Sequence, residues 1–325
     1  MLTAVQEHFL PTGIDVGSTV RALTFSANGE YLVSGDGNGV RVWRVENGEQ
    51  VANMKTGTVN CLAASKDWKW IAAGTNNGEV FVWNTTTFKQ VLKHKEDMFT
   101  FDLLPRDKYI RGVDFSPDSS RLLSASGGLF QESGKAAVWD LATGKQIQTL
   151  WHESLVIAVK YSPQGDRIAT ATDRSVRVWD SKSGRFLVDI KVKLTRHLNN
   201  GLLWFNDHLF VVSDDKIKEL DASAGSIVSE WPVHDDNYHS CIALPKFGEF
   251  IAYSTDHTVT FWDTSTHSQL ALIQHPQAIH SIALSPDDRS LAIGGKRGKI
   301  SIESIVRITV GSVSWGCRIS EQFSV

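Results

Sequence analysis

His234, Ser254 and Asp256 lie in one stretch of the chain, and His152, Thr170, Thr172 and Asp173 repeat the same residue types further upstream. An imidazole, a hydroxyl and a carboxylate are the groups of nucleophilic acyl transfer: the ring takes the hydroxyl proton and the acid orients the ring. A tryptophan closes each set, Trp262 in one and Trp179 in the other. Catalytic sets do not recur along a chain at a fixed interval, and these do. The recurrence therefore favours a scaffold role over an enzyme. Other reactive patterns are weak. The glycines of "GDGNGV" (Gly35, Gly37, Gly39) open no helix, so they make a poor phosphate loop. Eleven histidines include no HExxH, and no metal or other cofactor is expected. Cys61, Cys241 and Cys317 are odd in number and form no CxxC pair. That usage fits a reducing compartment, taken as the cytoplasm with the nucleus as the alternative. "NTT" at Asn84 is read as a chance glycosylation sequon.

The elements that carry these residues are strands. Helical periodicity is hard to find, and alternation over five to seven residues is broken by Gly, Asp, Asn and Pro throughout. Similar endings recur: "GVRVWR" at Trp43, "EVFVWN" at Trp83, "KAAVWD" at Trp139, "SVRVWD" at Trp179 and "TVTFWD" at Trp262, with weaker copies at Leu220 and Glu303. Their spacings are 40, 56, 40, 41, 42 and 41 residues. A period of this size, seven times over with one insertion, predicts an all-β, seven-bladed β-propeller of four-stranded antiparallel blades. Upstream of each ending runs a hairpin such as "VRALTFSANGEYLVSG" or "VIAVKYSPQGDRIATA", whose Pro, Asp and Gly suit a tight turn. The chain is expected to be one domain over residues 1–325, with the tail from about 306 to 325 unassigned. Residues near Gly13–Val16 are expected to complete the last blade, with that tail as competitor.

The "VRVWD", "AVWD" and "FWD" endings and the "FSPD", "YSPQGD" and "LSPDD" turns resemble the WD-repeat family, and the resemblance covers nearly the whole chain. Within it the chain looks most like WD-repeat proteins of filamentous fungi, some of which are attached to nucleotide-binding receptor modules. The resemblance implies a hydrogen-bonded chain within a blade, from the Trp of the third strand through a Ser or Thr and a His to an Asp in the turn between the second and third strands. It maps onto His234, Ser254, Asp256 and Trp262 in the sixth blade. In the fourth it maps onto His152, Thr170 or Thr172, Asp173 and Trp179. Those residues are then structural, because buried indole and imidazole groups need partners.

A net charge of −3 gives no general pull toward nucleic acid or an anionic membrane, and no apolar run is long enough to span a bilayer. The basic stretches "KVKLTRH" and "KRGK" lack the interleaved aromatics of a stacking surface. Other proteins are the expected partners, and an interaction scaffold or adaptor is the expected function. The narrower alternatives are a ligand-recognition module of a fungal nucleotide-binding receptor system and, less favoured, an enzyme using the central channel. In a four-strand meander the first and third turns fall at one end of a blade, and the second turn and the link to the next blade at the other. The extra length between Trp83 and Trp139 divides between such a link and such a second turn, both belonging to the third blade. The first insertion carries Phe99, Phe101 and Leu103, and the second carries Leu129 and Phe130. Long loops with aromatics suit a partner site, or a local mini-core folded onto the blade. Trp68, in a first turn where Gly is usual, is a candidate at the opposite end.

Overall fold

The computed structural model describes residues 13–95, 108–128, 133–194, 201–213, 215–233, 241–310 and 312–316. Each repeat is a four-stranded antiparallel meander, and seven of them form the propeller. The first blade shows the plan: inner strand Ala22–Phe25, then Tyr31–Gly35, Gly39–Arg44 and outer strand Gln50–Lys55. The second runs from Val59–Ala64 to Gln90–Lys95, the third from Lys108–Phe115 to Gln146–His152, and the fourth from Val156–Tyr161 to Phe186–Lys191. The fifth runs from Leu202–Phe205 to Ser226–Pro232 and the sixth from Cys241–Ala243 to Gln269–Gln274. Ile279–Leu284, Ser290–Gly295 and Lys299–Ser304 make three strands of the seventh. Its fourth comes from the N-terminal side: Ile14–Asp15 pairs antiparallel with Lys299–Ile300, and Val16 N–H continues the ladder to the Gly298 carbonyl at 2.8 Å. Val306–Val310 and Ser312–Gly316 form a separate hairpin, the second strand of which lies against the outer strand of the sixth blade.

The burial pattern follows from blades packed face to face. A middle strand is covered on both sides, so Tyr31–Gly35 and Trp70–Thr75 are buried at every position after the first. Outer strands bury few positions, as Gln50–Lys55 does at Met54 alone. The core clusters accordingly join neighbours: Val33, Val40 and Val42 of the first blade pack with Ile71, Phe81 and Trp83 of the second.

The recurring polar residues are turn fasteners. In five first turns a serine hydroxyl donates to an Asx side chain two or four residues on and accepts the backbone N–H five residues on. Ser26, Ser65, Ser116, Ser162 and Ser285 accept in this way from Tyr31, Trp70, Arg121, Arg167 and Ser290, at 2.9–3.0 Å. They donate to Asn28, Asp67, Asp118, Asp166 and Asp287. The Ser116 hydroxyl and the Ser120 N–H hold the Asp118 carboxyl below its ordinary range. The Asp that follows the Trp does similar work one turn later. Asp140, Asp180 and Asp263 accept the N–H groups of Thr143, Ser183 and Thr266, each at 2.7 Å, closing the turn into the outer strand.

Candidate interaction surface

The indoles show where the expected polar chains form and where they do not. Trp43 donates to Ser34 at 2.8 Å, Trp139 to Ser124 at 2.9 Å and Trp179 to Thr170 at 2.8 Å, all buried. Of the two hydroxyls expected to serve the fourth blade, Thr170 therefore takes the indole. Thr172 instead holds its own turn, accepting the Ser175 N–H at 3.1 Å. The turn carboxylate Asp173 accepts from the Ser154 hydroxyl, so the expected bond from His152 to Asp173 is not made. His152 packs its edge on Trp179 at 5.4 Å, and neither ring nitrogen has a hydrogen-bond partner. Burial, with the Arg177 charge nearby, pushes its pKa down to about 4 and keeps it neutral.

The sixth blade departs from expectation more sharply. Tyr253, paired with Thr260, holds the position that Ser34 and Thr170 hold in their blades, where they pair with Arg41 and Arg177. Ser254 is one residue further on and so faces the other side of the sheet. Its hydroxyl accepts the Cys241 N–H at 3.1 Å, while Trp262 is only half-buried and donates to Thr260 in its own strand at 3.0 Å. Asp256 is half-buried, and its carbonyl accepts the Ile279 N–H at 2.6 Å. His234 lies outside the described residues.

Two polar links were not anticipated. His94 sits 4.3 Å from Trp139, tilted by 49°. Like His152, it touches the Trp of the next blade, but from the register place that Leu150 holds, opposite Val80. In the first blade the fully buried Asp36 pairs with Arg41, which also donates to the Val16 carbonyl at 3.1 Å.

The axis is a cavity of about 300 Å³ lined by inner strands of all seven blades. Leu23, Leu62, Val113, Val159, Leu203 and Ile282 are among its lining residues, and Arg111, Asp114 and Lys160 are its charged ones. Asp114 accepts Lys160 Nζ and the Tyr161 N–H, both at 2.8 Å, so the one carboxylate there is already bonded twice. Among the described residues no three His, Cys, Asp or Glu side chains gather as metal ligands would. Burial pushes the Cys61 and Cys241 thiols up to about 12, far from a reactive thiolate. The Asn84 amide oxygen caps its turn, accepting Thr86 N–H at 3.1 Å and Thr87 N–H at 3.0 Å.

The third blade stands apart. Its inner and second strands are eight residues long, and Lys108 pairs with Gly128 at their shared end. The first insertion enters the blade at Lys108, and the second leaves at Gly128 to return at Gly134, paired with His152. Both loops therefore meet the blade at one end, on adjacent strands. Phe99, Phe101, Leu103, Leu129 and Phe130 lie outside the described residues. Beside the returning strand Trp151 is 59% exposed, a surface aromatic that sequence reasoning passed over because it lies in a regular strand. Trp68 is less free than expected. It is half-buried, stacked on Tyr31 at 5.5 Å and 7°, and packed against the core shared by the first two blades.

Comparison with known proteins agrees with this architecture. Residues 11–44 match the WD domain, G-beta repeat model. Rice small ribosomal subunit protein RACK1y is 32% identical over 138 residues, 42% of this chain and 37% of that protein. Chicken WD repeat-containing protein 1 is 24% identical over 74% of this chain and 47% of its own length. For Arabidopsis thaliana autophagy-related protein 16 the identity is 25%, over 86% of this chain and 54% of that protein. The chain thus spans from about a quarter to about half the length of the curated relatives it matches. Residues 52–218, half of the chain, match the model described as nucleolar protein 10-like, N-terminal domain, and the chain belongs to that family of β-propellers.

Proposed function

We propose that the chain is a non-catalytic protein-interaction scaffold whose working surface is the end of the third blade that carries both insertions. The observation that carries this is the pairing of Lys108 with Gly128, which brings the two loops to adjacent strand ends. Two independent insertions at one place on an otherwise regular ring add surface that the ring does not need. The relatives support the class: one is by name a component of the small ribosomal subunit, and others share the WD-repeat plan. The bonded state of Asp114 and the neutral, buried His152 favour structural roles for the acid and base groups over catalytic ones. Cys61 and Cys241, buried as free thiols, support a reducing, cytoplasmic setting. The likeness of the Trp-Asp endings to fungal WD-repeat proteins supports a narrower version, in which the same surface recognises a ligand for a nucleotide-binding receptor system.

The test replaces Phe99, Phe101 and Phe130 with Ser, singly and together, and follows melting and partner recovery from a native lysate. Near-normal melting with a partner lost supports the surface. Lower melting, with partner loss only as far as unfolding explains it, makes the loops a private mini-core. Normal melting with every partner recovered places the working surface elsewhere.

A further inference from the structure

A propeller blade ends in an outer strand with one unpaired edge, and such edges invite a foreign strand unless charges or proline guard them. Most outer strands here are guarded. Gln50–Lys55 ends in Lys55, and Gln90–Lys95 carries Lys93 and Lys95. Phe186–Lys191 carries Asp189 and Lys191, Ser226–Pro232 carries Glu230 and Pro232, and the closing strand carries Asp15. Two outer strands contain no Lys, Arg, Asp, Glu or Pro: "QLALIQ" (Gln269–Gln274) and "QIQTLWH" (Gln146–His152). The first is the strand against which Ser312–Gly316 of the tail hairpin lies. The second is the last strand of its sheet, with no further strand beside it among the described residues.

The register sharpens the contrast. Lys55, Lys95, Lys191, Pro232 and Gln274 face the first residue or so of their neighbouring strands, opposite Gly39, Glu79, Ser175, Lys216 and Thr258. In the third blade that place, opposite Lys135, holds Trp151. Nothing in the blade plan requires an aromatic there. Ile147, the extra residue of the bulge opposite Val138 and Trp139, is also exposed.

We propose that Gln146–His152 is a docking edge that receives an extended, uncharged β-strand from a protein partner, with Trp151 and Ile147 as side-chain anchors. The choice of occupant follows the sister edge, where the segment lying nearby, "SVSWG", not paired to that edge, is uncharged and carries an aromatic. Strand addition supplies backbone hydrogen bonds, and alternate side chains supply selectivity. A charged incoming strand would have to desolvate its charges against Trp151 and Ile147, which disfavours it. The edge borders the end of the blade proposed above as the working surface but uses none of the insertion residues, so Trp151→Lys and the Phe-to-Ser variants test the two readings separately.

The experiment uses the full chain and a labelled, end-capped peptide of residues 308–316, "ITVGSVSWG", which carries no charged side chain, added in trans, with anisotropy for binding and hydrogen exchange for location. The expected result is saturable binding with new protection of backbone amides within 146–152. Trp151→Lys, the residue that three other blades carry at this place, should weaken binding about tenfold or more with unchanged melting. Val91→Lys, on the outer strand of the second blade, should bind as the parent does. No binding, protection confined to 269–274, or equal binding by Trp151→Lys overturns the proposal. So does protection, in the dilute free monomer, of those amides of 146–152 that do not bond to Gly134–Asp140, which would mean that the chain covers its own edge. Protection that grows with concentration alongside a sedimenting dimer overturns it in favour of a second copy.

Discussion

Arg41 donates from Nη1 to the carbonyl of Val16 at 3.1 Å, beside the strand that closes the ring. The same guanidinium pairs with Asp36, whose side chain is fully buried. The first blade thereby grips the segment that completes the seventh, across a seam where Ile14–Asp15 contributes only two paired residues.

Closure by this segment makes two variants informative. Deleting residues 1–16 should lower the melting temperature markedly, because the outer edge of Lys299–Ser304 is left open and Ile14 and Val16 leave a core shared with Val20, Leu23 and Ile300. Arg41→Met should destabilise by about 3 kcal/mol, since a buried carboxylate loses its partner. Denaturant melts measure both. An unchanged melt on deletion would mean that another segment can close the ring.

The Trp positions should rank by burial. Trp139 is 2% exposed and its indole is bonded to Ser124, so Trp139→Ala should cost about 3–5 kcal/mol. Trp262 is half-buried and bonded within its own strand, so Trp262→Ala should cost clearly less, about 1–2 kcal/mol. Equal losses in urea melts would show that the sixth blade holds its Trp as tightly as the third does.

Acid should weaken the fold in a defined window. The His152 pKa falls to about 4 in the folded chain because of burial and the Arg177 charge, against about 6.5 when exposed. Between those values the unfolded chain binds a proton that the folded chain refuses, so stability falls as pH falls. The contribution is fully present above about pH 6.5 and lost by about pH 4, and amounts to about 3 kcal/mol. His275, also lowered by burial, adds in the same direction. His152→Leu should flatten the slope of urea-measured stability between pH 6.5 and 4; an unaltered slope would assign it to other groups.

The fold was legible because its signals are local and repeated: five serine-fastened first turns and the capped Asp after the Trp report hydrogen bonds made within a few residues. The finer polar links were less legible because they depend on register between strands. Ser254 and Thr170 look equivalent by type, yet a one-residue offset turns Ser254 to the opposite side of its sheet. By residue type Ser154 could serve Asp173 as well as His152, and the folded chain gives Asp173 the Ser154 hydroxyl. His94 was hidden by the insertion that follows it. The Arg41–Asp36 link to Val16 joins residues of different blades, which no local pattern announces.

Trp68 tests how an aromatic is held where a glycine would be easier. Its φ is 55°, in the left-handed region, while Gly29, Gly165 and Gly248 hold φ of 75°, 78° and 70° in the first turns of other blades. Glycine would relieve about 1 kcal/mol of backbone strain there. It would also remove the stack on Tyr31, worth about 0.5–1.5 kcal/mol, and the apolar area that Trp68 buries against the core of the first two blades, worth at least as much again. Packing should win. Trp68→Gly is expected to be destabilising by about 1 kcal/mol, and Trp68→Ala by more, because alanine loses the packing and keeps the strained backbone. Urea melts of the two variants give the order wild type, Gly, Ala. If Trp68→Gly proves more stable than wild type, packing does not explain the tryptophan, and its ring becomes a surface kept for a partner at the end of the propeller opposite the insertions.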